Sequence, residues 1–270
     1  MTTPSAERVE LANELRLALA RKELEIHFQP QVAIASRRIV CVEALPRWPH
    51  RDRGWIPPAE FLPIAEDSNL IQPLGELALA RACRQIREWD RAGLPSLRAA
   101  VKVSARQLRG NEFAQTVDGA LRRAALAPGR VELEFAESVL VASRDQALVV
   151  LNELKAIGVQ IAVDEFGMSY PNLGHVARLP VDCLKIDPAI VWRVTEEGRD
   201  AMIAQAIVSL AHTLDLRVVA GGVETAEQLD FVLSHGCDEA QGELFCEVLP
   251  ADALVPVLAL GFASPARGPS

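Results

Sequence analysis

Short apolar runs with an alternating pattern recur along the chain, and each ends in polar or charged residues. In Val159 to Gly167, V-Q-I-A-V-D-E-F-G, Ile161 and Val163 alternate with small or polar neighbours before two acids and a glycine. That pattern belongs to a strand packed against helices on one side and stopping at a loop. Runs of the same kind predict strands near 99–104, 130–135, 159–164, 182–187, 216–220 and 238–240. Helices are expected between them, near 112–126, 145–157, 172–178, 199–213 and 225–234. Upstream, Glu7 to Leu24 reads as an amphipathic helix with Leu11, Leu15 and Leu19 near one stripe, a lid expected to pack on its own domain. Ile26-His27-Phe28 opens a strand that Pro30 should confine to an edge or an end, and Arg38 to Leu45 forms another. The short turn around Ser36 makes these two a hairpin, so one of them runs antiparallel. Pro57 and Pro58 introduce a helix through Ile64, and Gly75 to Arg91 forms a long one. Eight strands alternating with helices predict an α/β fold, a (β/α)8 barrel of the TIM type with its pocket at the strand ends.

Strand parity then sorts the side chains, because successive residues point to opposite faces and the bulky apolar ones should meet the helices. In V-E-L-E-F, Val131, Leu133 and Phe135 face outward, which leaves Glu132 and Glu134 inside. The same rule turns Lys102 and Ser104 inward from V-K-V-S, Lys185 and Asp187 from C-L-K-I-D, Asp164 from the central strand, and Glu43 if Val42 and Ala44 pack outward. Five charges, Glu43, Lys102, Glu134, Asp164 and Lys185, therefore converge at the barrel mouth. Each taken singly is as well explained by a stabilising ion pair as by function. Several buried charges together mark a site, because burying them is costly unless they are paired.

Composition narrows the partners. With 270 residues and 50% hydrophobic content the chain can bury a full core. A net charge of −8 and a pI near 5.3, with no block of Lys or Arg, argue against nucleic acid as the main partner. No apolar run is long enough to span a bilayer and no signal peptide is read at M-T-T-P-S-A-E-R, so a cytoplasmic protein is expected. The five cysteines are odd in number and lack a C-x-x-C pair, which favours buried thiols over a structural zinc site. Residues 1–10 read as an N-terminal extension, 11–262 as the domain, and 263–270, with Pro and Gly, as a disordered tail.

Six ordered motifs carry a resemblance that runs from about Leu11 to Leu258. They are Val42-Glu43-Ala44-Leu45-Pro46-Arg47-Trp48, Glu132-Leu133-Glu134-Phe135-Ala136-Glu137-Ser138, Asp164-Glu165-Phe166-Gly167, Leu184-Lys185-Ile186-Asp187, Gly222-Val223-Glu224-Thr225 and Gln241-Gly242. Together they resemble the EAL domain family, phosphodiesterases that linearise the bacterial second messenger cyclic di-GMP. The resemblance implies a modified TIM barrel with one antiparallel strand, and two Mg²⁺ or Mn²⁺ ions that hold the scissile phosphate and activate a water. Hard cations of this kind take carboxylate oxygens, and a metal pair stabilises attacking and leaving oxygens together. Glu43, Glu134 and Asp164 match metal-binding carboxylates, with Glu165 beside them. Lys185 matches the lysine near the attacking water, Arg47 the arginine that holds a ligand phosphate, and Gln29 and Gln241 pocket glutamines. Leu45 completes the ligand-contacting E-A-L motif, and Glu137 and Glu224 match acids that shape the loops. Family members pair through the loop after the acids and an adjacent helix, so a homodimer is one expectation.

The chain departs from the family at the chemistry itself. Lys102 stands where the family has an asparagine metal ligand, Glu165 where it has a second aspartate, and Gly221 where it has the glutamate that would serve as ligand or general base. Met168, Ser169 and Pro171 replace the usual loop after the acids. Lys102 adds one positive charge and Gly221 removes one negative charge, and the sum equals the charge of one divalent ion. An ammonium among Glu43, Glu134 and Asp164 would satisfy them by charge-assisted hydrogen bonds, but it cannot coordinate or acidify a water. It would also repel an incoming cation. Loss of a general base alone costs about 10²–10⁴-fold in rate.

These departures predict a degenerate EAL domain with no metal cofactor, binding cyclic di-GMP through Gln29, Glu43, Leu45, Arg47, Lys102, Asp164, Lys185 and Gln241 and passing the signal to a protein partner. Lys185 and Glu224 are then residual catalytic residues, and Glu43, Glu134, Asp164 and Glu165 a vestigial metal set. Two alternatives stand beside this. If Glu165 or Glu224 rescues a metal, the chain is an active Mg²⁺- or Mn²⁺-dependent phosphodiesterase. If Pro46, where the family usually has leucine, misdirects Arg47, the barrel is a protein-interaction module that no longer binds nucleotide.

Overall fold

The structure, a computed structural model, describes residues 4–109, 112–142, 144–168, 178–195 and 198–262. Eight strands close into a barrel: β1 (Glu25–Ala33), β2 (Arg38–His50), β4 (Arg98–Val103), β5 (Val131–Ala136), β6 (Gln160–Phe166), β7 (Cys183–Ile186), β8 (Arg217–Ala220) and β9 (Glu239–Gln241). From β2 through β4 to β9 each neighbour runs parallel, while β1 is antiparallel to both β2 and β9 and seals the ring. The short β3 (Gly54–Ile56) extends β2 beyond the rim, and β10 (Leu249–Pro250) pairs with the start of β1. The expected barrel and its one reversed strand are therefore present.

Pro30 is not at an edge or an end, as the sequence pattern predicts; it lies in the middle of β1, opposite Val42. The strand tolerates it because its other side pairs with β10 at His27 and Phe28 and with β9 only from Gln31 onward, so the missing N–H falls in the gap between two partners.

Helices cover the barrel: α1 (Pro4–Arg21), α2 (Pro58–Asp67), α3 (Ile71–Arg91), α4 (Ala105–Leu108), α5 (Phe113–Ala124), α6 (Glu137–Ala142), α7 (Arg144–Ile157), α8 (Pro188–Val191), α9 (Arg199–Thr213), α10 (Ala226–Ser234) and α11 (Ala251–Leu260). Parity holds as expected. Val131, Leu133, Phe135, Val101 and Leu184 join the main apolar core between barrel and helices, together with Leu79, Ile86 and Val117. A second core gathers Leu11 and Leu15 of α1, Trp48 of β2 and Phe61 and Ile64 of α2, so α1 packs on its own domain. The helix predicted near 172–178, the loop residues Ser169 and Pro171, and the tail 263–270 lie outside the described residues, apart from Arg178 at the end of that helix. Among the described residues, no helix is long and apolar enough to cross a membrane. All five cysteines are free, and all but Cys246 are buried.

Inside the barrel the polar side chains form two levels. Near the N-terminal ends of the parallel strands, Arg98 and Arg217 bind Glu239 at 2.7 and 3.0 Å, Arg217 also pairs with Glu132, and Arg98 approaches Glu132 at 3.8 Å. Small apolar residues, Ala162, Cys183 and Val219, separate this level from the mouth. The second level lies at the strand C-terminal ends.

Candidate functional site

The upper level is where the five predicted charges meet. Lys185 of β7 donates to Glu134 of β5 at 2.5 Å and to Glu43 of β2 at 3.1 Å, and stands 4.0 Å from Asp164 of β6. Lys102 of β4 bonds Asp164 and lies 3.8 Å from Glu43, with half of its side chain open to solvent. Three carboxylates thus face two ammoniums. The parallel register makes this possible by setting Lys102 beside Glu134 and Ala136 beside Asp164.

The charges are unequally perturbed. Burial works against ionisation of Asp164, yet Lys185 and Lys102 outweigh it and hold the carboxyl down at about 2. Burial opposes Glu43 in the same way and the same lysines lower it. Glu134 goes the other way: complete burial and the neighbouring Glu43 charge push it up to about 8 despite Lys185. Its Oε2 is buried without a hydrogen-bond partner, which suits a carboxyl that keeps its proton near neutrality. Both ammoniums are driven upward by the carboxylates against the cost of burial, so they stay charged.

Glutamines extend the network. Gln241 donates to Glu43 at 2.7 Å and to Gln29 at 3.0 Å, and accepts from Gln31 at 3.1 Å, while Gln29 donates to the Cys246 carbonyl at 3.3 Å. Gln31 escaped the sequence reading, although it sits two residues from Gln29 and so shares its face of β1.

Above this floor opens a cavity of about 490 Å³. Of the predicted residues, Gln29, Glu43, Lys102, Asp164, Glu165, Lys185, Gly221, Glu224 and Gln241 line it. Glu134 lies beneath the floor. Leu45 and Arg47 follow Glu43 on the same face of β2 but are not part of the lining; Arg47 donates to the carbonyl of Pro46 at 3.1 Å. Ser104 is not a pocket residue: it lies past the end of β4 and caps α4 in a capping box with Gln107. Asp187 lines the cavity and also caps α8 through the Ala189 N–H at 2.7 Å. Glu165 is exposed at a bulge with φ of +55°, so its backbone conformation turns it away from the carboxylate cluster. Glu137 is buried and accepts from the Gly167 N–H at 3.4 Å, which ties the turn after the acids to α6. Trp192 and Glu243 also line the cavity, and no motif had pointed to either.

Two ammoniums already sit at hydrogen-bond range among Glu43, Glu134 and Asp164, so a divalent cation placed there would meet like charges and have to displace both. The residues present therefore do not fit a pair of divalent cations at Glu43, Glu134 and Asp164.

The chain is similar in sequence and fold to known proteins. The EAL domain profile matches residues 12–248. Two relatives from Pseudomonas aeruginosa are similar: the bifunctional diguanylate cyclase/cyclic di-GMP phosphodiesterase MucR, 40% identical over 96% of this chain, and the cyclic di-GMP phosphodiesterase NbdA, 39% identical over 93%. The chain spans 38% of the first and 32% of the second, about a third of each. A solved structure of the MucR phosphodiesterase in complex with c-di-GMP superposes with a TM-score of 0.87 at 41% identity, covering 91% of this chain and 99% of that one.

Proposed function

The chain belongs to the EAL domain family, and from that premise we propose that its barrel mouth binds cyclic di-GMP without turning it over and relays occupancy to a protein partner. The observation that carries this is the Lys102 ammonium, which spans Asp164 and Glu43 where the family resemblance places a metal. An ammonium supplies positive charge for a phosphate but has no vacant orbital with which to polarise a water. Gly221 removes the acid that would accept the proton. Phosphate binding then falls to the half-exposed Lys102, with Arg47 released from the Pro46 carbonyl, while Gln29 and Gln241 present amides along one wall. Calorimetry tests the proposal: cyclic di-GMP should bind with the same affinity in EDTA as in Mn²⁺. No binding under either condition rules it out.

A second reading follows from the relatives, whose names describe phosphodiesterases: Glu165 and Glu224 line the cavity and supply carboxylates for a displaced divalent ion and slow turnover. Chromatography of cyclic di-GMP incubated with protein and Mn²⁺ separates the two. Linear dinucleotide in molar excess over protein favours the enzyme.

A further inference from the structure

We propose that Trp192 is the base platform of the cavity, stacking one guanine of the dinucleotide. This rests on the cyclic di-GMP reading above and adds the surface on which a base would lie. Of the four tryptophans, Trp48 and Trp89 are buried in the cores, and Trp55 of β3, though exposed, meets the edge of His27 of β1 away from the cavity. Trp192 lines the cavity and leaves 49% of its surface open. An indole exposed inside a cavity forgoes a large favourable burial unless something covers it.

Its position is built rather than incidental. The Trp192 N–H donates to the Pro188 carbonyl at 2.9 Å, ending α8, and its own carbonyl accepts from Gln228 Nε2 at 3.4 Å. The buried Gln228 also accepts from the Glu224 N–H at 2.7 Å, so one side chain fixes the loop carrying Trp192 to the loop carrying Glu224. Gly222, with φ of +72°, makes room: a Cβ there would come within 3.0 Å of the Trp192 Nε1 and 2.6 Å of the Pro188 Cβ. The ring is thus held against backbone on one side.

The surroundings match a nucleotide. Aromatic faces accept any base by stacking, and cations beside them take the phosphates; here the half-exposed Lys102 provides a cation at the floor. Glu224 and Glu243 on the rim would repel phosphate, but they are acceptors for the N1–H and N2–H groups that guanine presents and adenine does not.

Calorimetric affinity for cyclic di-GMP in EDTA, with intrinsic fluorescence of the whole chain titrated beside it, tests the assignment against Trp192→Ala and Trp192→Phe. The wild type should quench on binding. Trp192→Ala should weaken affinity roughly tenfold to a hundredfold, the range of one base–aromatic stack, at an unchanged melting temperature. Trp192→Phe should keep affinity within a few-fold and lose the quench, a split that a merely structural role does not produce. Cyclic di-AMP should bind more weakly. Wild-type affinity in Trp192→Ala overturns the platform and leaves the receptor reading standing. A wild type that binds nothing overturns the receptor reading, and the platform with it.

Discussion

At the residue scale, the proposed loss of turnover is tested by two substitutions. Lys102→Asn with Gly221→Glu removes the ammonium and returns an acid, and should restore Mn²⁺ binding and measurable hydrolysis; a double variant that binds no metal counts against the charge argument. The returning side chain meets a tight place, since a Cβ on Gly221 stands 3.1 Å from the Ile186 carbonyl, so Lys102→Asn alone is the milder first step. Glu134 supplies a pH test. Its folded value near 8 exceeds the ordinary 4.5, so between those limits the folded chain keeps a proton that the unfolded chain has lost, and stability falls as pH rises across that window. Glu134→Gln should flatten that slope in urea melts at pH 5 to 8; an unchanged slope assigns it elsewhere. These charges were legible from strand alternation alone, because in a barrel the outward face must be apolar. Their unequal titration was not, since it depends on depth and on which ammonium each acid reaches.

At the element scale, the same alternation found β4 to β9 to within a few residues, and failed where pairing rather than hydropathy decides. Pro30 shows why: whether a proline breaks a strand depends on whether its missing N–H had a partner, and the gap between β9 and β10 is invisible in sequence. Helix α11 was missed because Pro256 interrupts an apolar run, and α6 because its six residues follow β5 without a break. Helix α1 was found, and its role is checkable. Leu15 is fully buried against Trp48, Phe61 and their neighbours, so Leu15→Ala should cost about 2–5 kcal/mol in denaturant unfolding. A loss below about 1 kcal/mol would mean that α1 is held loosely.

At the scale of the whole molecule, the barrel separates two kinds of polar cluster. The lower one pairs Arg98 and Arg217 with Glu132 and Glu239, none of which lines the cavity, and it is expected to act on the fold alone. Arg217→Leu leaves the buried Glu132 with only the 3.8 Å contact from Arg98, and should destabilise by about 3–5 kcal/mol. Nucleotide affinity of the folded fraction should stay the same; a parallel loss of affinity would show that the two levels are coupled. On the proposed function the upper cluster is the reverse case, in which exchange of charged residues alters chemistry while the scaffold persists. Its counter-ion is bonded to the backbone of β4 and cannot diffuse away. On the proposed function, the output of such a barrel follows the abundance of its messenger alone: chelators, manganese starvation and the passage of time leave it unmoved, and every molecule it captures goes back to the cell whole.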